Sequence, residues 1–132
     1  MRNLKRLGCE IKIMEKIFGY NNISYPKDGS WIKLNYKLPQ HKCKYNLNTI
    51  TVLIIISGSY DSTSVSECYV DRDLRIQKGR KLEKLPHTHD KKYDEQGYNW
   101  LCFENPDVFV SLLDFLNTLK LYFTDPFEYQ EI

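Results

Sequence analysis

The side chains best suited to chemistry, two histidines and one cysteine, lie in residues 85–103, LPHTHDKKYDEQGYNWLCF. A cysteine acts as a nucleophile only as its thiolate, which is favoured by partial exposure, nearby positive charge or a following helix N-terminus. Cys102 meets part of this description, because it follows a long polar segment and precedes a predicted helix. The competing interpretation is a buried structural thiol packed between Leu101 and Phe103. The residues themselves leave both interpretations open.

His87 and His89 are separated by one residue, so in an extended segment both imidazoles would point to the same side of the chain. Such a pair could transfer a proton near neutral pH, orient a catalytic loop or bind an oxyanion, or it could be two solvated loop histidines. His41 and Cys43 repeat this spacing, so the four side chains could form a zinc-ligand set. Structural zinc pairs are usually separated by about two to four residues, however, and we expect no metal centre.

Several other kinds of site find no support in the sequence. It contains no phosphate-binding glycine loop, no dinucleotide fingerprint and no serine-hydrolase elbow, and its carboxylates are too scattered to define an acid–base pair. We therefore expect no cofactor. The 19 basic and 17 acidic side chains are mixed along the chain and give a net charge of +2, which does not favour binding to nucleic acid or to an anionic membrane.

The apolar segments predict a cytoplasmic protein. The N-terminal residues contain no apolar stretch of signal-peptide length, and the longest apolar run, residues 52–56, is too short to span a bilayer. In that compartment thiols stay reduced, so we expect no disulfide framework among the four cysteines, and Cys9 and Cys68 are expected to be packed thiols.

Apolar periodicity predicts the elements that must position the candidate residues. Residues 4–18 place apolar side chains at three- and four-residue steps, which predicts a helix that ends at Gly19. Residues 31–38 alternate strictly between apolar and polar side chains and end at Pro39, as in a half-buried strand. Further strands are predicted at residues 48–57 and 67–70, so the three together predict an antiparallel meander.

The second half of the chain predicts a long loop and a second helix. Residues 71–96 are charged and weakly periodic, which is typical of a long surface loop, and they contain both histidines. In residues 104–123, Asn105 is a candidate N-cap and Pro106 a first-turn residue. An apolar stripe follows, made of Val108, Leu112, Phe115, Leu119 and Tyr122. Residues 1–132 are thus expected to form one α+β domain.

This order of elements resembles the ubiquitin-conjugating enzyme fold, in which a meander is followed by a Pro-His-containing loop, an isolated cysteine and a helix. The resemblance is closest to the short stand-alone bacterial proteins of this type found in CBASS antiphage operons. It rests on LPHTH at residues 85–89 and WLCF at residues 100–103, supported by EKIF, WIKLNYKL, ITVLIII and CYVDRDL earlier in the chain. Together these motifs extend over most of the sequence.

The resemblance implies that Cys102 accepts the C-terminal glycine of a partner protein as a thioester and passes it to an amine. It also implies that His87 braces the loop, that His89 contacts the thioester, and that the partner is a cGAS-like nucleotidyltransferase. The chain departs from the family where Thr88 and His89 replace the usual asparagine, which leaves the oxyanion donor open; Asn99 is a candidate substitute. Two alternatives remain, a catalytically inactive protein-interaction module of the same fold and a metal-dependent hydrolase.

Overall fold

The computed structural model describes residues 3–40, 43–58, 67–90, 93–102 and 111–127. Over these residues the chain is α+β, with an N-terminal helix, an antiparallel sheet and a C-terminal helix. Helix α1 (Leu4–Phe18) begins after Asn3, whose side-chain oxygen accepts the N–H of Arg6 at 3.1 Å. It ends at Gly19, which has a φ of 95°, a conformation that glycine adopts without steric cost. The predicted helix and its C-terminal end are confirmed.

In the described part of the chain, eight strands form two sheets. They are β1 (Ile23–Ser24), β2 (Trp31–Lys37), β3 (Thr49–Ile55), β4 (Glu67–Asp71), β5 (Ile76–Lys78), β6 (Lys81–Glu83), β7 (Thr88–His89) and β8 (Tyr98–Leu101). The larger sheet has the order β1-β2-β3-β4-β8-β7 with antiparallel neighbours, and β5 and β6 form a separate hairpin. The predicted three-strand meander is confirmed as β2, β3 and β4, and the sheet extends beyond it on both sides.

Alternation along β2 determines which face of the large sheet is buried. Ile32 and Leu34 are fully buried, whereas Lys33 between them is exposed. Across the strand pair they face Ile54 and Val52, which are also fully buried. Both helices pack on this face, and a buried aliphatic side chain there contributes roughly 1.5–3 kcal/mol relative to an exposed one.

Helix α2 (Leu112–Thr124) begins later than the sequence predicts. Ser111 has an extended backbone, with φ −149° and ψ 162°, and its side chain accepts the N–H of Asp114 at 3.1 Å. A helix cannot run through an extended residue, so a continuous helix from Asn105 is wrong: the serine hydroxyl caps a new helix instead of continuing one. The predicted cap Asn105, Pro106 and Val108 lie outside the described residues. The rest of the predicted stripe, Leu112, Phe115, Leu119 and Tyr122, is buried as expected.

A buried carboxylate links the two helices. Glu10 of α1 is only 6% exposed, and its Oε2 accepts the N–H of Leu112 at the start of α2, at 2.9 Å. Arg6 lies 3.5 Å from the other carboxylate oxygen. Negative charge at a helix N-terminus is favourable because the first-turn N–H groups there have no partner within the helix. This contact therefore fixes the position at which α2 begins against α1.

The prediction of one long surface loop over residues 71–96 is wrong, because the segment contains strands. The segment contains the β5–β6 hairpin, in which Lys78 pairs with Lys81 around a two-residue turn where Gly79 has a φ of 64°. It then forms β7 and a short 3₁₀ turn before β8. The pattern was missed because Ile76 is the only buried residue of the hairpin strands, so no alternation is visible in the sequence. No helix within the described ranges is long and apolar enough to cross a bilayer.

Candidate active site

Cys102 lies immediately after β8 and is partly exposed. Its backbone N–H donates to the carbonyl oxygen of His87 at 2.8 Å, and the preceding residue, Leu101, pairs with Thr88 of β7. The sheet therefore brings the Pro-His segment and the cysteine together as neighbouring strands. Cys102 is neither sealed in the core nor distant from His87, and this adjacency defines the candidate site.

Pro86 and His87 form a turn with an unusual backbone. His87 is the only described non-glycine residue with a positive φ, at 65°. A type II turn places proline at its second position and a positive φ at its third, and these two residues meet both conditions. For a residue with a Cβ this conformation costs roughly 1–2 kcal/mol, so the surrounding contacts must hold it.

Helix α2 supplies one of those contacts through Tyr122. The buried Tyr122 hydroxyl donates to the carbonyl of Pro86, and its ring lies edge-on to the His87 imidazole with centroids 6.4 Å apart. Burial raises the pKa of Tyr122 well above its ordinary value, so the phenol remains a hydrogen-bond donor. Within the turn, the Thr88 hydroxyl donates to the carbonyl of the buried Leu85 at 2.6 Å. These side chains bind the turn to the core.

In the sequence Tyr122 is visible only as a member of the apolar stripe, and this second role was not predicted. A signal was present, because a tyrosine at a fully buried helix position needs a partner for its hydroxyl. The pattern could not identify that partner, since Pro86 is distant in sequence and its carbonyl faces α2 only after β7 has joined the sheet.

His89 occupies a different surface from His87. It is exposed, pairs with Trp100 in the neighbouring strand, and its ring centroid lies 5.8 Å from that of Trp100. Trp100 in turn pairs with Tyr69, which belongs to the sheet face opposite the helices. The two imidazoles therefore do not point the same way, because the positive φ of His87 ends the extended segment. A role for His89 at the thioester stays a prediction.

Asn99 is not placed to stabilise an oxyanion at Cys102. Its side chain is buried, and in the amide orientation that satisfies its neighbours its nitrogen donates to Asp90 at 3.1 Å and to Asp94 at 3.2 Å. Asn99 also precedes Cys102 by three positions, roughly 10 Å along an extended chain. It joins the two ends of the connection between β7 and β8, and Lys84 extends this network by pairing with Asp90 at 2.9 Å.

Of the other three cysteines, Cys68 and Cys9 differ from Cys102 in burial, whereas Cys43 is partly exposed like Cys102. Cys68 is fully buried in β4, and burial raises the pKa of its thiol, so it remains neutral. Cys43 is partly buried, with its sulfur 3.8 Å from Asp125 Oδ1, and Cys9 is exposed on α1. His41 lies outside the described residues, and within them no three potential ligands gather around one point. Cys9 is thus the natural reference for the reactivity of an exposed thiol.

The geometry places a partly exposed thiol beside a rigid turn that carries an imidazole. Helix α2 begins only at Leu112, and the predicted helix start at Asn105, which would place a helix N-terminus close to Cys102, lies outside the described residues. Catalytic roles for Cys102, His87 and His89 remain predictions. Comparison of the chain with protein-family models, with curated proteins and with solved structures gave no match.

Proposed function

We propose that this chain is a conjugating enzyme of the ubiquitin-conjugating type, which carries the C-terminal glycine of a partner protein as a thioester on Cys102. The observation that carries the proposal is the position of Cys102, partly exposed and hydrogen-bonded through its backbone to His87. A partly exposed thiol at the end of a strand, next to a hydrogen-bonded Pro-His turn, is suited to accept an incoming acyl group. The reaction would serve antiphage defence.

The arrangement of elements supports the same assignment. Helix α1 precedes the β2–β3–β4 meander, the Pro-His turn and Cys102 follow, and α2 packs over the buried face of the sheet. This is the order expected of a ubiquitin-conjugating-enzyme-like domain. Along the chain, the β5–β6 hairpin lies between the meander and the thiol. Strand β8, which leads to the thiol, pairs with β4.

The proposed chemistry is two successive acyl transfers. The thiolate of Cys102 attacks the carbonyl carbon of an activated C-terminal glycine, an S–C bond forms, and the bond to the leaving thiol breaks. An acceptor amine then attacks the same carbon, an amide forms, and the Cys102 sulfur leaves as the amine loses a proton. A free carboxylate is too unreactive for the first step, so the cargo must arrive as a thioester from an activating enzyme.

In this mechanism the Pro86–His87 turn chiefly fixes the shape of the space beside the Cys102 sulfur. The carbonyl of His87 is occupied by the N–H of Cys102, which fixes the distance between the turn and the start of the thiol-bearing segment. His87 is joined to Cys102 through the backbone, its imidazole packs against Tyr122, and it is proposed to transfer the amine proton. His89, on Trp100, is proposed to contact the incoming chain at the outer side.

A direct test uses a short glycine-terminated peptide supplied as a mercaptoethanesulfonate thioester, which removes the need for an activating enzyme. We expect Cys102 to become acylated faster than the exposed Cys9, as measured by mass spectrometry of tryptic fragments. Cys102→Ala should abolish the fast adduct, Cys102→Ser should give a slower one that resists dithiothreitol, and Cys9→Ala should change neither.

Equal acylation of Cys9 and Cys102 would contradict a specialised thiol. If Cys102 stays unmodified while the chain still binds a nucleotidyltransferase, the catalytically inactive interaction module is the correct function. The partner is tested separately, by mixing the chain with a cGAS-like nucleotidyltransferase ending in glycine and with its activating enzyme. A reductant-sensitive adduct that requires both this terminal glycine and Cys102 is the expected result.

A further inference from the structure

An open apolar groove lies between the two helices and has no part in the proposed thioester chemistry. It has a volume of about 870 Å³, and its walls and floor include Ile13, Ile17, Tyr36, Leu38, Leu113 and Leu116. Cavities that bind ligands typically have volumes of about 300–1,000 Å³. The groove therefore has the size of a binding site, and its function is open.

The contact between Glu10 and Leu112 joins α1 to the start of α2, and the residues that line the groove follow it along the sequence of both helices. Beyond it, residues 13–18 of α1 line one wall and residues 113–124 of α2 line the other, with the end of β2 as the floor. Tyr36 packs between Phe18 and Phe123, with ring centroids 6.1 Å and 5.5 Å away, so the floor is firmly held.

The α1 wall of the groove leaves two neighbouring isoleucine side chains exposed. Ile13 is 43% exposed and Ile17 is 63% exposed, and they lie one turn apart on the same side of the helix. A single exposed aliphatic residue is ordinary, whereas two that border a preformed apolar groove form a continuous patch. Such a patch is typical of a surface that is covered by a partner.

Among the described residues, the charges at the groove are of one sign. The charged lining residues in these ranges are Lys37, at the end of β2, and Lys120, on α2, and no described carboxylate lines the groove. Both lysines are exposed, and neither forms a salt bridge with any residue in the described part of the chain. Apolar walls with cations on two sides complement a segment that is apolar on one face and acidic at its edges.

We propose that this groove binds an amphipathic acidic helix of a partner protein, with its apolar side chains between α1 and α2. Its flanking carboxylates pair with Lys37 and Lys120. The spacing of Ile13 and Ile17 by one helical turn suits the i, i+3, i+4 and i+7 apolar pattern of a helix that lies in a groove. The chain would thus hold a partner on a surface separate from Cys102.

The test uses two designed helical peptides with the same leucine pattern, one with glutamates and the other with lysines on the flanking positions. Fluorescence anisotropy should show that the native protein binds the glutamate peptide about tenfold more tightly than the lysine peptide. Lys37→Glu combined with Lys120→Glu should reverse this preference. Ile17→Glu should weaken binding of the glutamate peptide about tenfold, whereas Leu121→Glu, an exposed α2 position outside the groove, should not.

Equal affinity for the two peptides, or an unchanged preference after charge reversal, would overturn the proposed acidic partner. Concentration-dependent dimerisation that Ile17→Glu abolishes would overturn it as well, because a second copy of the chain would then occupy the groove. Circular dichroism of each variant establishes that the substituted proteins are folded. All these positions are exposed, so folding should be retained.

Discussion

Two strand pairs of the large sheet are held together in different ways. Strands β2 and β3 pair over seven residues, from Trp31 with Ile55 to Lys37 with Thr49, and bury an alternating row of aliphatic side chains. Strands β7 and β8 pair over two residues, and side-chain hydrogen bonds from Tyr122, Thr88 and Asn99 supplement them. The β2–β3 pair is stabilised mainly by apolar burial, and the β7–β8 pair by directional polar contacts.

This difference separates stability from the geometry of the site. Apolar burial is non-directional and proportional to area, so it sets the free energy of unfolding without fixing a particular atom. Hydrogen bonds contribute less free energy but fix distances and angles. Substitutions in β2 should therefore affect folding most, and substitutions around β7 and β8 should alter the site with smaller losses of stability.

The largest loss is expected for Leu34→Ala in β2. Leu34 is fully buried between both helices and its neighbouring strands, and its truncation should lower the free energy of unfolding by about 2–5 kcal/mol. Urea denaturation measures this loss. Leu82→Ala, at a position that is 58% exposed in β6, is the matched control and should change the free energy by less than about 0.5 kcal/mol. Similar losses for both variants would contradict the described burial.

Removal of the Asn99 amide should have a smaller effect. Asn99→Ala deletes the donor shared by Asp90 and Asp94, which should cost about 1–3 kcal/mol in urea denaturation. Asn99→Asp has nearly the same shape but places a third carboxylate against the other two. It should therefore be less stable than Asn99→Ala at pH 7 and should recover as the pH falls toward 4, when protonation relieves the repulsion. A pH-independent difference between the variants would exclude this contact.

Cys68 should make stability depend on alkaline pH. Burial raises the pKa of its thiol above the ordinary value of 9.0, so the unfolded chain loses this proton at a lower pH than the folded chain. Stability from this group is complete below pH 9 and declines above it, by about 1.4 kcal/mol per pH unit. Cys68→Ala should flatten the decline between pH 9 and 10, whereas Cys9→Ala should not. An unchanged slope in Cys68→Ala would show that the thiol ionises in the folded state.

Tyr122→Phe should separate stability from site geometry. Loss of its hydrogen bond to Pro86 should cost about 1 kcal/mol and release the turn beside Cys102. The rate of peptide-thioester acylation at Cys102, relative to that at Cys9, should therefore fall. Tyr45→Phe removes a comparable buried hydrogen bond to the Phe123 carbonyl and should lower stability without changing this ratio. Equal ratios in both variants would assign Tyr122 to stability alone.

The smallest effect is expected at the exposed pair of Lys84 and Asp90. The hydrogen bond and positive charge of Lys84 lower the pKa of Asp90 below its ordinary value. In Lys84→Met this pKa should rise toward the ordinary value, as measured by NMR titration of the carboxyl group. Because the pair is exposed, the urea midpoint should hardly change. A pKa of Asp90 that stays low would assign the shift to Arg72 and Arg75 instead.

The elements found from the sequence are those with strong local periodicity. The steps of Leu7, Ile11 and Met14 gave α1, strict alternation gave β2, and the stripe of Phe115 and Leu119 gave the buried face of α2. In each case regularly spaced apolar side chains pack against one continuous apolar surface. Their spacing in the sequence therefore indicates directly which positions are buried.

The sequence did not predict four features: the start of α2, the β5–β6 hairpin, strand β7 and strand β8. Ser111 is compatible with a helix interior on propensity, and its role as a cap depends on the position of the chain before it. Strand β8 alternates over only four residues, and its identity as a strand depends on pairing with β4 and β7. Short segments of this kind gain stability from partners distant in sequence, and local patterns do not contain that information.

The candidate site shows the same division. The side chains that make thiol chemistry conceivable, Cys102 and His87, are visible in the linear chain as types and spacing. Their contact, the separation of His89 onto the outer face and the brace from Tyr122 arise when β7 joins β8 beneath α2. The physical reason is that composition and periodicity specify which surfaces are buried, whereas hydrogen bonds between distant segments form only after burial has brought those segments together.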